Sequence, residues 1–481
     1  MQSVTKTSQP AVAMCSTCGR PLNAKGDCVA CLVRIGLDEL SRAVETPPIP
    51  EKSIAVRPFE NRSTEQENAF FTDGIQDEIL ARLSKIATLK VISRASTMQF
   101  QSSDNLKEVA RQLGVANVLT GSVQKSGDTV RIIVKLIDTE NELQIWGETY
   151  DRKLTDVFQV ETEVAEAVAT ALAANLTRAE ARAVDARPTN SVEAHQAYLK
   201  GRYFWGKRTL DGYKLAVGYL KRAIEADAGY AQAYAALADA LIYLGGENVM
   251  RHEEAVKEGR AALGKALELD ESLSEAHASL GLLAMNIDWD WTKAEHEFRR
   301  AIELNPNYAT AHQWYGEFLA DMGRFDEGIT EIERAQMLDP LSIIITSDVG
   351  KVYYIARRYE KAIEQFNRAL ELEPEFAQAR GLLGLTYSAQ GRYEPALAEL
   401  RKIKELENNA MYLSWLGHVY GLAGRINDAQ KVVDRRRRYL PAPTFLPCGQ
   451  PMPTQAPETT TSRFNHSNTY WPSTPQEARC R

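Results

Sequence analysis

From Val192 to about residue 440, apolar positions recur at i, i+3 and i+4, the signature of amphipathic helices. The pattern itself also repeats. Pro306, Pro340 and Pro374 stand 34 residues apart, each followed at a fixed offset by a glycine (Gly316, Gly350, Gly384). Twelve residues later comes a small residue (Gly328, Ala362, Ala396), then an apolar one (Ile332, Phe366, Leu400). Two antiparallel helices per unit satisfy this spacing: the small residues allow close approach, and the large ones fill the space between pairs. Proline marks the hand-over between units because it cannot continue a helix. Units fall near residues 193–227, 229–270, 272–305, 306–339, 340–373, 374–407 and, in part, 408–440. The second carries extra residues around Gly245 to His252, and the third gains one near Trp289-Asp290-Trp291. Each pair can hide its apolar face only against its neighbours, so such an array presents a surface to other molecules.

These residues resemble the tetratricopeptide repeat, most specifically in the middle units. The resemblance implies a solenoid over residues 190–440, with about seven repeats, whose concave face is lined by the first helix of each repeat and captures peptides. Carried over by position, that face includes Asp239, Leu282, Gln313, Glu317, Lys351, Tyr354, Leu385 and His418. Its mixed character suits a helical or extended protein segment. Lys351 and Tyr354 lie three apart, so both face one side of a helix; the lysine reads as a rim charge and the tyrosine as an anchor. Lys351 has little cationic support, which disfavours the carboxylate clamp of chaperone-binding members. For each of these residues a solvated helix face is as good an account as ligand contact.

Ahead of the repeats the periodicity changes. Ile54-Ala55-Val56 reads as a buried strand and Phe70 to Ala87 as an amphipathic helix with Ile75, Ile79 and Leu83 in line. Leu89 to Ser93 reads as a strand and Asn105 to Leu113 as a helix. Three strands follow, Asn117–Gln124, Thr129–Ile137 and Leu143–Tyr150, the first two joined by a turn at Ser126-Gly127-Asp128. A long helix, Val157 to Leu176, closes a mixed α/β domain over residues 53–180, expected to own a closed core. The segments Ser53 to Phe59 with Asn61, Phe71 to Ile75, Leu113-Gly114 with Val118 to Val123, and Ile145 to Asp151 resemble the TolB amino-terminal-like family. That resemblance implies a regulatory or assembly role, between a signalling module and helical repeats, without catalysis.

Residues 1–45 hold Cys15-Ser-Thr-Cys18 and Cys28-Val-Ala-Cys31. Two such turns can present four thiolates tetrahedrally, the donor set of a structural Zn²⁺ site; free thiols or a redox pair suit the paired spacing less well. The segment resembles the small zinc ribbons at the amino termini of bacterial signalling proteins. Residues 46–52 form a Pro-rich linker, with Pro47, Pro48 and Pro50. Residues 441–481 contain eight of the chain's 19 prolines, much Thr and Ser and no helical period, so disorder is expected. This tail departs from the family's usual ending, as a shifted reading frame would produce.

Composition narrows the function. The 481 residues are 44% hydrophobic and 25% charged, ordinary for a globular protein, with a net charge of −7 that gives nucleic acid no support as main partner. No apolar run reaches the ~18 residues of a membrane span, and no secretory core follows Met1, so a cytoplasmic location is expected. His252-Glu253 and His296-Glu297 lack the second histidine of a metalloprotease helix. GxxxxGK[ST], GxSxG and the kinase loops are missing. His195, His277 and His312 read as packing or as solvent-exposed positions and Trp314 and Trp415 as packing, whereas Trp289 and Trp291 read either as packing or as an exposed edge contact. The expected molecule is a non-enzymatic bacterial signalling scaffold: zinc ribbon, mixed α/β domain, all-α repeat solenoid and protein partners, its oligomeric state left open. The alternatives are a regulatory relative or fragment of a serine/threonine kinase or nucleotide cyclase, or an envelope-assembly factor.

Overall fold

The computed structural model describes residues 49–436 apart from 64–68, 101–103, 207–208, 247–249, 405 and 407–408. Cys15, Cys18, Cys28 and Cys31, most of the linker and the 441–481 tail lie outside the described residues.

The α/β region contains β1 (Ser53–Val56), β2 (Glu60–Asn61), α1 (Ala69–Ser84), β3 (Lys90–Val91), α2 (Arg94–Thr97), α3 (Leu106–Leu113), β4 (Asn117–Ser126), β5 (Thr129–Asp138), β6 (Leu143–Lys153), α4 (Val157–Ala171) and α5 (Arg178–Asp185). The sheet runs β3-β1-β4-β5-β6, with β2 also on β4. β1 pairs in parallel with β3 and β4, whereas β4, β5 and β6 form an antiparallel meander. The mixed sheet follows from the chain's connections. Helices carry the crossovers between parallel strands, and the Gly127-Asp128 turn, with Gly127 at φ 59°, joins β4 to β5 directly.

Besides the short β2 and α2, which the periodicity did not show, the end of the domain differs from the expected pattern. The helix beginning at Val157 stops at Ala171, and Ala173 takes a left-handed backbone (φ 49°) before α5 begins. Thr177 caps α5 reciprocally with Glu180, a capping box. Only Val184 of α5 is buried, so an apolar period had no way to reveal it.

Seven helical pairs follow among the described residues: α6/α7 (Val192–Gly206, Leu210–Ala226), α8/α9 (Ala231–Gly246, His252–Leu269), α10/α11 (Ser274–Leu283, Trp291–Leu304), α12/α13 (Ala309–Asp321, Phe325–Leu338), α14/α15 (Ile343–Ile355, Tyr359–Leu372), α16/α17 (Ala377–Ala389, Tyr393–Arg401) and α18/α19 (Ala410–Leu422, Ile426–Arg436). Gly316 and Gly328 show why small residues recur. A Cβ on Gly316 would fall 2.8 Å from the Ile332 backbone nitrogen, and one on Gly328 2.8 Å from the Gly316 carbonyl. The extra residue of the third repeat is absorbed as a π-turn, Ala284–Asp288.

A polar clamp recurs in three of the pairs. His277 Nδ1 lies 2.6 Å from Glu297 and its Nε2 3.0 Å from the Glu271 carbonyl; His312 does the same with Glu331 (2.6 Å) and the Pro306 carbonyl (3.1 Å). Arg380 replaces the histidine in the sixth repeat, bonding Glu399 (3.1 Å) and the Pro374 carbonyl. Each clamp ties a first helix to its second helix and to the preceding turn. These histidines are structural.

The expected closed core of the α/β domain is not what forms. One hydrophobic cluster runs from Ile54, Ile75, Ile79 and Val164 through Val184 into Leu199, Leu220, Tyr230 and Leu241, joining the sheet to the first two repeats without a break. The physical reason is that α1 and α4 present apolar surface on the side away from the sheet, and α6 covers it.

Candidate functional site

The site is built from the first helices of the repeats and from what lies against them. In the first repeat, α6 places His195, Leu199 and Arg202 toward the α/β domain. Gly74 of α1 lets Leu199 approach so closely that a Cβ there would sit 2.5 Å from a Leu199 methyl. The His195 ring packs edge-on to Phe158 of α4 at 4.3 Å, and Lys200 lies over the Phe70 ring at 4.6 Å. Repeats far along the chain meet the same domain. Asn307 Nδ2 donates to the Ser84 and Ile86 carbonyls (3.0 and 3.2 Å), and the Val91 amide donates to its Oδ1 (3.4 Å). Ser93 N donates to the Leu338 carbonyl at 2.8 Å, Ser96 Oγ bonds Asp339, and Gln99 donates to the Leu341 carbonyl at 3.1 Å. The solenoid therefore holds the α/β domain from its first repeat to the turn entering its fifth.

This junction buries charge. Arg82 donates through Nη1 to the Val184 carbonyl and to the Ala186 carbonyl (3.1 Å), and its Nη2 stands 3.6 Å from Glu161, whose side chain is fully buried. Burial pushes the Glu161 carboxyl well above its usual range, with Glu78 adding to the effect. Burial, helped by Arg82, pushes His195 down to about 3, so its imidazole is neutral, 3.9 Å from Glu161. Burial alone would lower Arg202, but Tyr198, Asp77 and Glu275 outweigh it and hold the guanidinium charged.

Further along, the predicted groove residues split. Gln313 on α12 donates to Asp348 on α14 at 2.6 Å, and Gln378 on α16 reaches the other oxygen of Asp348 at 3.4 Å. Lys351 Nζ donates to Glu317 at 2.7 Å with only 5% of its side chain exposed. Asp239 accepts from Ser279 at 2.6 Å. Lys351 is thus no rim charge: it sits one repeat on from Glu317, and direct packing of successive first helices encloses the pair. Burial raises Asp348, reinforced by Glu317. Lys351 is raised too, because Glu317, Asp348 and Asp321 more than offset its burial. Tyr354 is half-buried beside the Tyr359 ring (6.1 Å) and His418 is exposed. With Ile344 (50% exposed) and Leu422 (49%), they are the more accessible residues of this stretch.

The geometry defines a class: an α/β domain seated on a helical-repeat solenoid, with a buried polar seam between first helices. Among the described residues, no group of His, Cys, Asp and Glu is arranged to hold a metal, and no helix is long and apolar enough to cross a membrane. Tetratricopeptide repeat families match residues 290–342, 350–391 and 377–409, so the chain carries tetratricopeptide repeats. Residues 50–167, likened above to the TolB amino-terminal family, match instead the second domain of HilA/YgeH-like transcriptional regulators. Over 202 residues the chain is 36% identical to "Putative adenylate cyclase 3" of Rhizobium meliloti (strain 1021), a match covering 40% of this chain and 34% of that protein. The chain thus spans about a third of that relative's length. Among solved structures, Pseudomonas aeruginosa pilF is similar at 23% identity over 42% of this chain and 91% of its own (TM-score 0.34). YrrB, described as a TPR protein with an unusual peptide-binding site, is similar at 22% over 38% and 89% (TM-score 0.27).

Proposed function

We propose that the chain is a non-enzymatic protein-interaction scaffold of bacterial signalling or regulation, acting in the cytoplasm. Its α/β domain occupies the first half of the solenoid, and its later repeats take a partner segment. The observation that carries this is the division of the first helices. Those of the first repeat spend His195, Leu199 and Arg202 on the α/β domain, whereas Ile344, Tyr354, His418 and Leu422 remain accessible. In this reading Asp239, Gln313, Glu317 and Lys351 stiffen the groove floor, and Tyr354 and His418 contact the ligand. Cys15, Cys18, Cys28 and Cys31 bind a structural Zn²⁺, and the match of residues 50–167 to the second domain of HilA/YgeH-like transcriptional regulators supports a regulatory role for the α/β domain.

A second reading is favoured by the relative named a cyclase: the chain would be the regulatory portion of a cyclase-type protein whose catalytic domain is elsewhere. Affinity capture with the full chain and with a Tyr354→Ala, His418→Ala variant, followed by reconstitution from purified components, tests the first reading. A protein retained by the wild type and lost by the variant supports it. Equal retention by both removes the groove. ATP cyclisation by the pure chain, abolished by a single carboxylate substitution, would overturn the non-enzymatic assignment.

A further inference from the structure

In the third to seventh repeats the backbone passes through a left-handed residue where the first helix turns into the second. Three repeats place glycine there: Gly323 (φ 79°), Gly391 (φ 76°) and Gly424 (φ 71°). The fifth uses Arg357 (φ 60°). The third uses Trp289 (φ 58°), a bulky side chain in a conformation that disfavours it. Trp289 is also 58% exposed, its ring meeting Trp291 at 5.9 Å, so burial does not account for a tryptophan at this turn. Its position is fixed from both sides. Asp288 is held by both Arg260 nitrogens (2.8 and 2.9 Å), and Asp290 caps α11 by accepting from Lys293 N at 3.0 Å. The π-turn takes up the one extra residue and ends on Trp289. Backbone strain at a fixed, outward-facing aromatic is a pattern of recognition sites.

Beside it lies an open hollow of about 560 Å³, lined by Val256, Ala261 and Ile287 and rimmed by His252, Lys257 and Arg260. Glu253 is also on the rim, but Arg251 stands 3.8 Å from it. Asp288 and Arg260 neutralise each other within the chain, which leaves Asp290 as the acid beside the exposed knob and Lys257 as the base on the rim of the adjacent hollow. A knob and a hollow side by side on one surface can be self-complementary under a two-fold axis, because each copy fills the other.

We propose that this edge of the third repeat is an isologous self-association surface: Trp289 of one copy seats in the Val256–Ile287 hollow of a second, with Asp290 facing the second copy's Lys257. The test is sedimentation velocity on the full chain up to the order of 100 μM, the range of a modest interface. The wild type should populate a species of twice the 53.7 kDa chain mass, in a salt-weakened equilibrium. Trp289→Gly should be monomeric while melting no lower than wild type, since it installs the residue that other repeats use at this turn. Lys257→Glu, at an exposed position, should weaken association by about tenfold or more. Should Trp289→Gly melt early, Lys257→Glu alone decides. A wild type monomeric throughout this range, or a dimer unaffected by either substitution, overturns the proposal.

Discussion

Replacing Lys351 by Met separates a buried strut from a ligand-facing charge. Methionine keeps most of the side-chain length and removes the ammonium. Glu317 (14% side-chain exposure) and the buried Asp348 then lose the cation between them, with little water to replace it. Removing one partner of a buried pair costs about 3–5 kcal/mol, far above the 0–1 kcal/mol of a surface pair. The pH dependence has a definite sign. Lys351 is raised in the fold, so its contribution is complete below its unfolded value near 10.4 and declines only as pH rises through the higher folded value. At pH 7 the variant should therefore show the full loss. Asp348 is already raised by burial and will rise further without Lys351, so protonation relieves the variant as pH falls and the loss should shrink toward pH 5. Urea titration of full-length wild type and variant at pH 7.5 and 5.5, read by far-ultraviolet circular dichroism, measures both effects. A loss below about 1 kcal/mol at pH 7.5, or one independent of pH, would refute the enclosed pair and return Lys351 to the rim.

His277→Arg should preserve stability at pH 8 where wild type weakens. His277 is raised, its bond to Glu297 overcoming its burial, so its contribution is full below its unfolded value near 6.5 and is lost as pH rises through the folded one; thermal melts at pH 6 and 8 check this. Asn307→Ala removes bonds to Ser84, Ile86 and Val91 and should destabilise by about 1–3 kcal/mol, with faster proteolysis of the α/β domain. Gly74→Ala should cost about 1–3 kcal/mol by crowding Leu199, and Leu199→Ala should cost less in that background than in wild type. Elemental analysis should find about one Zn per chain, lost in Cys15→Ser with Cys28→Ser; full zinc in that variant excludes the site.

The repeats were legible because spacing alone encodes them. Proline, Gly316-type and Ala362-type positions recur whatever surrounds them, and the meander announced itself through alternation and a Gly127-Asp128 turn. The docking was not legible. Asn305, Asn307 and Ser96 look like ordinary turn formers, and nothing local says that their amides and hydroxyls face another domain more than 200 residues away. Lys351 misled for a related reason: lysine defaults to solvent, and its partner lies in the previous repeat. The sequence did hold a signal there, since Glu317 and Lys351 are 34 residues apart, an opposite-charge pair at the repeat length. His195 could be read as packing, but its place against Phe158 depended on how the α/β domain turns back onto the solenoid.

Native-state hydrogen exchange on the intact chain tests the central claim, that the α/β domain and the first repeats form one cooperative body. Because one core unites them, amides in α1 (Ala69–Ser84), α4 (Val157–Ala171) and α6 (Val192–Gly206) should exchange through a common opening, with the same free energy and the same denaturant dependence. Asn307→Ala should lower all three together. Protection in α1 and α4 that persists while α6 opens independently would contradict the account.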